Sequence, residues 1–320
     1  MKRQAIIDIK EKLIRGDRKA LSKVITMVES SLSKDRDSVA QLFDLLLDVR
    51  RQSVKIGITG SPGVGKSSFL NTLLQQPYFM NKTVAVLTVD PSSSLYGGSI
   101  MGDKTRMSDV MDMKNIFIRP SPSKGDLGGM NTRTWETVKI CEYAGFDYIF
   151  VETVGVGQSE IEITHLVDHV FMLLQPGSGD EIQGIKKGIM EVVDSFVISK
   201  SDLDKDLAHQ SQQQLKNIIG LISSTGKTGK SIYKVSNLSG EGFAPIAKSI
   251  ASIQSKDTED YSYWLKKQWQ QWILEQFTNH PAIADISTQV IDQVNRGELS
   301  HTDALIKLQE KFIQTCFKKY

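Results

Sequence analysis

The pattern of hydrophobic and polar positions divides the chain into three parts. In the first fifty residues apolar side chains recur at helical spacing, and Gly16-Asp17 separates two predicted helices. A third predicted helix covers the pattern from Val39 to Val49. Helical spacing returns after residue 255 and ends in a helix that follows a predicted capping box from Ser300 to Asp303. A helical extension is therefore expected at each end of the chain.

The middle of the chain carries short runs of β-branched and apolar residues instead. Each run is near-continuous rather than alternating, which is typical of strands that are buried on both faces. Helix-length segments separate most of the runs, and this favours parallel strands joined by crossover helices. We predict an α/β fold with a doubly wound, mostly parallel sheet. Its strands are expected at residues 54–59, 83–89, 115–120, 148–153, 169–174, 195–200 and 231–236.

Composition and charge narrow the class of protein. The 320 residues include 39 Lys plus Arg and 37 Asp plus Glu, so no chain-wide basic field favours nucleic-acid binding. No apolar run reaches the roughly 20 residues that a membrane span requires. Two widely spaced cysteines, Cys141 and Cys316, favour a reducing compartment. We predict a cytoplasmic protein without a membrane or nucleic-acid partner, divided into segments 1–50, 51–254 and 255–320.

A phosphate-binding loop is the most specific short motif. Residues 60 to 67 match G-x-x-x-x-G-K-[ST], directly after a predicted strand and directly before a predicted helix. Backbone N–H groups of such a loop surround phosphates, and the helix N-terminus adds a positive dipole. Lys66 is predicted to neutralise the β and γ phosphates, and the Ser67 hydroxyl to bind Mg²⁺. The predicted nucleotide-binding residues here are Gly60, Ser61, Pro62, Gly63, Val64, Gly65, Lys66, Ser67 and Ser68.

Acidic residues at strand ends are the predicted metal site. Asp90 and Glu152 each end a predicted strand, and open α/β sheets bind ligands at the carboxyl ends of their strands. Asp103 lies in the Gly-rich segment that follows Asp90. Mg²⁺ prefers oxygen ligands, so Ser67, Asp90, Asp103 and Glu152 are the predicted metal-binding residues. Lys66, Asp103 and Glu152 are the predicted catalytic residues.

Residues after the sixth and seventh strands predict which base is bound. Ser199-Lys200-Ser201-Asp202 holds the place where GTPases carry N-K-x-D. The Asp202 carboxylate can accept hydrogen bonds from N1 and N2 of guanine, whereas the N1 acceptor of adenine would be repelled. Ser199 replaces the usual Asn and is expected to weaken GTP binding. Three residues of the last loop, Ser236, Asn237 and Leu238, are predicted to close the other side of the base.

Two loops have the composition of nucleotide-dependent switches. Residues 90–107 combine glycines with acidic and basic side chains, and residues 175–186 follow the fifth predicted strand. No residue is an obvious fast base or arginine finger, and Arg106 and Arg133 are only candidates for a cation that stabilises the transferring phosphoryl group. We therefore expect slow intrinsic hydrolysis that accelerates when a partner orders these loops.

Taken together, GSPGVGKSS, VDPSSSLYGGSIMGDKTRM, IRPSPSKGDLGG, FVETVGVGQSE, QPGSGDEIQGIKKG, ISKSD and SNLSGEG resemble the MeaB/ArgK family of GTPases. The family's members are chaperones of cobalamin-dependent methylmalonyl-CoA mutase and related acyl-CoA mutases. The resemblance implies a P-loop NTPase fold, GTP/GDP and Mg²⁺ as ligands, and 51–254 as the GTPase domain. It also implies a C-terminal dimerisation arm, a homodimer, and a mutase partner contacted by residues 175–186.

Other functions stay open on the sequence alone. A metallochaperone GTPase shares the fold and the switch loops, although the chain has no Cys-x-x-Cys and only five His. A transport-linked P-loop kinase would need an acceptor pocket, and a binding scaffold would use GTP only structurally.

Overall fold

Seven parallel strands form one sheet at the centre of the chain. A computed structural model describes residues 3–30, 32–90, 107–122, 132–153, 159–177, 187–223, 229–256, 261–278 and 280–316. The strands are β1 (Val54–Gly60), β2 (Val84–Asp90), β3 (Ile116–Pro122), β4 (Tyr148–Glu152), β5 (His169–Leu174), β6 (Ser195–Ile198) and β7 (Ser231–Lys234). All seven predicted strands are confirmed.

The order of the strands places β1 in the middle of the sheet. The order is β3-β2-β4-β1-β5-β6-β7, and every neighbouring pair is parallel. β1 is buried over six of its seven residues, as its continuous apolar run predicts for a strand covered on both faces. The doubly wound α/β fold is therefore confirmed. The chain leaves β1 at the carboxyl edge of the sheet, where the phosphate loop begins.

Thirteen α-helices are present among the described residues, with 3-10 turns at Pro77–Phe79 and Ile163–His165. Before and within the sheet they are α1 (Arg3–Ile14), α2 (Arg18–Glu29), α3 (Ser33–Leu46), α4 (Lys66–Leu74), α5 (Ser108–Met111), α6 (Thr132–Ala144), α7 (Ser159–Glu162), α8 (Lys187–Val192), α9 (Lys205–Ser223) and α10 (Phe243–Ala251). The last three are α11 (Tyr261–Thr278), α12 (Pro281–Asn295) and α13 (His301–Cys316).

The N-terminal helices pack on the outside of the sheet domain. Asp17 begins α2 by accepting a hydrogen bond from the Ala20 amide at 2.7 Å, which explains the break predicted at Gly16-Asp17. α2 contacts α6, and an ion pair joins Arg36 of α3 to Glu136 of α6 at 2.9 Å. Burial raises the pKa of Glu136, with the Arg36 charge acting in the opposite direction.

Residues 260–320 form a second compact unit, separate from residues 1–259. Ser300 caps α13 at the predicted position, because the Asp303 amide donates to the Ser300 hydroxyl at 3.1 Å, and that hydroxyl donates to the Asp303 carboxylate at 2.7 Å. Trp264 of α11 is buried. An exposed aromatic face of the same helix consists of Tyr261, Leu265, Trp269, Trp272 and Ile273. No described helix combines the length and the apolar character needed to cross a membrane.

Candidate functional site: a phosphate loop at the central strand

A strand, a tight loop and a helix build the predicted phosphate site. Gly60 ends β1 at φ +141°, where a Cβ atom would lie 2.4 Å from the backbone oxygen of Leu173. Gly65 precedes α4 at φ +99°, in the left-handed region. A residue with a side chain would be strained at both positions. These two glycines are therefore needed for the path of the backbone.

Lys66 is held inside the loop. Its ammonium group donates to the backbone oxygen of Gly60 at 2.7 Å and to that of Ser61 at 3.1 Å. The side chain is only 7% exposed although Lys66 is the first residue of α4. The positive charge thus lies at the N-terminus of a helix, where backbone N–H groups and the helix dipole also favour an anion.

Ser67 and Glu152 form the second pair of the site. The Ser67 hydroxyl donates to Oε1 of Glu152 at 2.8 Å, and both residues are buried. Glu152 ends β4, which is the neighbour of β1, so the carboxylate lies beside the start of α4. Two hard oxygen ligands are therefore in contact at the place where the sequence predicts Mg²⁺, and this donor set fits that ion.

The other predicted metal ligands lie outside what the structure describes. β2 ends at Asp90, as predicted, but its side chain is outside the described residues. Asp103 and Arg106 belong to 91–106, and residues 178–186 of the second predicted switch loop are likewise outside. Their roles stay predictions. Arg133 is described, and it donates to the backbone oxygen of Glu29 at the end of α2.

Ser199, which follows β6, contacts the phosphate loop. Its hydroxyl lies 2.8 Å from the backbone oxygen of Val64 and 3.1 Å from that of Leu174, and the residue is completely buried. This geometry joins the end of β6 to the loop after β1. The residue that replaces the usual Asn thus has a supporting contact that the sequence reading, which considered only the base, did not include.

Lys200 and Gln175 both reach the same loop carbonyl. The Lys200 ammonium and the Gln175 amide each donate to the backbone oxygen of Gly63 at 3.0 Å. Lys200 has φ +51°, a left-handed conformation that is uncommon for a residue with a side chain. Residues held in such uncommon backbone conformations cluster at ligand sites. Gln175 was predicted only as the first residue of a switch loop, and its contact was missed.

The predicted base-binding residues lie at the carboxyl edge of the sheet, in the loops after β6 and β7. Asp202 is exposed just after β6, and Leu238 is 89% exposed in the loop after β7. Ser236 is buried and its hydroxyl accepts from the Ser239 amide at 3.2 Å, which shapes that loop. A Cβ atom on Gly65 would lie 3.4 Å from Nδ2 of Asn237, so Asn237 borders the phosphate loop. The described residues thus bring the loops after β1, β6 and β7 together.

A parallel sheet with this loop at the end of its central strand defines a P-loop NTPase. The family model described as "Methylmalonyl Co-A mutase-associated GTPase MeaB" matches residues 21–287. The chain therefore belongs to the MeaB family, and it is a GTPase.

Individual relatives agree over nearly the whole chain. A putative GTPase of Caulobacter vibrioides is 36% identical over 96% of this chain and 98% of its own length. GTPase ArgK of Escherichia coli is 36% identical over 95% of each chain. A methylmalonic aciduria type A homolog of Mus musculus is 34% identical over 90% of this chain and 75% of its own. Among solved structures, one named LAO/AO transport system kinase has a TM-score of 0.67 at 26% identity, covering 98% and 99% of the two chains.

Proposed function

We propose that this GTPase is Mg²⁺-dependent and acts as a switch-type chaperone for a cobalamin-dependent acyl-CoA mutase, gating the loading and protection of the cofactor. The observation that supports the chemistry is the pair of Ser67 and Glu152 at 2.8 Å beside the buried Lys66. The family membership supports the client.

Hydrolysis is the attack of water on the γ-phosphorus, with cleavage of its bond to the β–γ bridging oxygen to give GDP and phosphate. Lys66 and the amides of residues 60–68 stabilise the charge that develops on the phosphate oxygens. Glu152 holds and orients water by hydrogen bonding. Mg²⁺, with Ser67, Asp90, Asp103 and Glu152 as its proposed protein contacts, would neutralise charge on the β and γ phosphates.

Guanine selection rests on Asp202. Its exposed carboxylate accepts hydrogen bonds from N1 and N2 of the base, while the stem of Lys200 covers one face. Leu238, which is 89% exposed, covers the other face, and Ser236 and Asn237 shape its loop. Asp202→Asn removes the acceptor pair and is expected to lower GTP affinity at least about 10-fold, whereas Asp204→Asn, a neighbouring surface change, leaves it unaltered.

A switch-type chaperone requires a partner that distinguishes the GTP-bound from the GDP-bound protein. Relatives in the mouse and in Caenorhabditis elegans are named methylmalonic aciduria type A homologs, which supports a role beside a mutase. Purified protein is expected to release phosphate slowly, and addition of an acyl-CoA mutase to accelerate it. Unchanged phosphate release and unchanged cobalamin transfer in the presence of the mutase would refute the chaperone role. Transfer of labelled γ-phosphate to a protein would favour the kinase alternative.

The exposed aromatic face of α11 supports a homodimer through the C-terminal arm. Trp269 and Trp272 stack on each other with ring centroids 5.2 Å apart, and they are 59% and 51% exposed. Neighbouring apolar side chains at helical spacing enlarge the patch, which a second copy would cover. The proposed domains are 1–50 as N-terminal extension, 51–254 as GTPase domain and 255–320 as dimerisation arm.

Light scattering tests this assembly. The wild-type chain is expected to have twice the mass of a monomer, and Trp269→Ser with Trp272→Ser to give a monomer that still binds GTP. A matched double change of polar residues on the same helix, Gln268→Ser with Gln271→Ser, should leave the dimer intact. A monomeric wild-type chain, or a dimer that survives loss of both tryptophans, would contradict the proposed interface.

A further inference from the structure

A buried hydroxyl beside the Ser67–Glu152 pair has no role in the function described so far. Thr88 lies in β2 and is 1% exposed. Its Oγ1 atom has no hydrogen-bond partner among the described residues. A buried hydroxyl without a partner destabilises a folded protein relative to a partnered one, so such a group calls for an explanation.

The sheet places Thr88 next to Glu152. β2 and β4 are adjacent parallel strands, and Thr88 is the register partner of Glu152. Register partners in neighbouring parallel strands lie about 4.8 Å apart, with their side chains on the same face.

The face of the sheet that carries both residues is the one that α4 covers. Side chains at alternate positions of the adjacent strands β2, β4 and β1 pack in one hydrophobic cluster with α4. Its members include Ile56, Ile58, Val84, Val86, Tyr148, Phe150, Phe69, Leu70, Leu73 and Leu74. Thr88 and Glu152 occupy the next alternate positions toward the carboxyl ends of their strands. Ser67 of α4 donates to Glu152 on this same face. Thr88 therefore follows the apolar side chains of β2 on this face, at the position next to the polar site.

We propose that Thr88 is a positioning residue of the Mg²⁺–nucleotide site, whose hydroxyl accepts a hydrogen bond from a water molecule held by Glu152 when nucleotide and Mg²⁺ are bound. A threonine there serves a purpose that valine, with the same shape, would not. This inference rests on the proposed Mg²⁺ dependence of the GTPase.

Three variants separate this role from a structural one. Thr88→Val removes the hydroxyl and keeps the shape, while Thr88→Ser keeps the hydroxyl. The matched control is Thr137→Val in α6, because Thr137 is also 1% exposed but its hydroxyl donates to the Arg133 backbone oxygen at 2.8 Å. The measurements are the Tm without nucleotide, and the Mg²⁺ concentration that half-saturates binding of a slowly hydrolysed GTP analogue.

The expected result is a rise of about 3- to 10-fold in the Mg²⁺ requirement of Thr88→Val, the size of one hydrogen bond. Its Tm without nucleotide should not fall, and its analogue affinity in EDTA should equal that of the wild type. Thr88→Ser should keep the wild-type Mg²⁺ requirement. Thr137→Val should lower the Tm and leave the Mg²⁺ requirement unchanged.

Two results would overturn the inference alone. One is an unchanged Mg²⁺ requirement in Thr88→Val while the wild type responds to Mg²⁺. The other is a lower Tm of nucleotide-free Thr88→Val, which would show that the hydroxyl already has a structural partner. A wild-type protein whose analogue binding does not respond to Mg²⁺ would instead refute the proposed function, and this inference with it.

Discussion

Buried lysines lie at two places on the sheet domain, and their described contacts differ between the two places. On β1 and α6, Lys55 and Lys139 both bind the Glu142 carboxylate, at 3.3 Å and 2.5 Å. At the carboxyl edge of the sheet, the Lys66 ammonium donates to backbone oxygens of Gly60 and Ser61. The first cluster pairs lysine charge with a carboxylate of the protein, whereas the partners of Lys66 include backbone carbonyl groups of the phosphate loop.

We propose that this difference reflects two roles, a structural one for Lys55 and Lys139 and a phosphate-binding one for Lys66. A buried carboxylate shared by two lysines stabilises the fold only while all three charges are present. A lysine held by carbonyl oxygens can exchange them for phosphate oxygens, whose negative charge makes stronger hydrogen bonds. Similar side chains in similar burial would then serve stability in one place and ligand binding in another.

Among the tests of this comparison, loss of the Lys66 charge has the largest expected effect. Lys66→Ala should reduce GTP hydrolysis about 100- to 1000-fold, because one preorganised cation that stabilises transition-state charge is removed. Phosphate release at saturating GTP measures the effect, and the Tm without nucleotide should change little. A variant that unfolds would place Lys66 among the structural lysines, and one that hydrolyses GTP normally would contradict its assignment to the phosphate site.

Loss of the Glu142 charge should have the opposite profile. Glu142→Gln leaves Lys55 and Lys139 buried beside each other without their shared carboxylate, which should lower the free energy of unfolding by about 3–5 kcal/mol. Urea denaturation measures this change. The exposed Glu11→Gln is the control, with an expected change within about 0.5 kcal/mol. GTP affinity of the folded fraction should be unchanged, and a selective loss of GTP binding would contradict the assignment.

Ser199 tests how far the phosphate loop depends on support from β6. Ser199→Ala removes the hydroxyl that lies 2.8 Å from the Val64 oxygen, and should weaken GTP and ATP binding by the same factor, about 3- to 10-fold. Calorimetric titration of both nucleotides measures it. Ser38→Ala, at a buried serine that donates to the Lys34 oxygen at 2.7 Å, should leave both affinities unchanged. A loss confined to GTP would mean that Ser199 contacts the base.

The smallest expected effect is on the pH dependence of stability, and it comes from His169 at the amino end of β5. Burial lowers the pKa of His169 below the usual 6.5. The charge of Asp194 acts in the opposite direction, and the charge of Lys256 lowers the pKa further. The Nε2 atom of His169 lies 2.9 Å from the Ser195 hydroxyl. The unfolded chain therefore binds a proton more readily, so stability should fall as the pH drops from 6.5 toward the lowered value. Urea midpoints between pH 7.5 and 5.5 measure the slope, which should be reduced in His169→Gln. An equal slope in both proteins would contradict the lowered pKa.

The sequence predicted the sheet and the loop because both depend on local pattern. Continuous apolar runs marked all seven strands, and the glycines at 60 and 65 mark the turn that their φ angles require. Alternation within β2 could also have placed Thr88 on the face of Asp90, a signal that was not used. The contacts of Ser199 and Gln175 could not be predicted, since they join segments that only the folded sheet brings together.

The most direct test of the central claim, that the carboxyl edge of the sheet is a guanine-nucleotide site requiring Mg²⁺, is one titration series. GTP and ATP are titrated into the same protein, each with Mg²⁺ and with EDTA. We predict tighter binding of GTP than of ATP, and a loss of GTP affinity in EDTA. Equal affinity for GTP and ATP, or GTP binding that is indifferent to Mg²⁺, would contradict it.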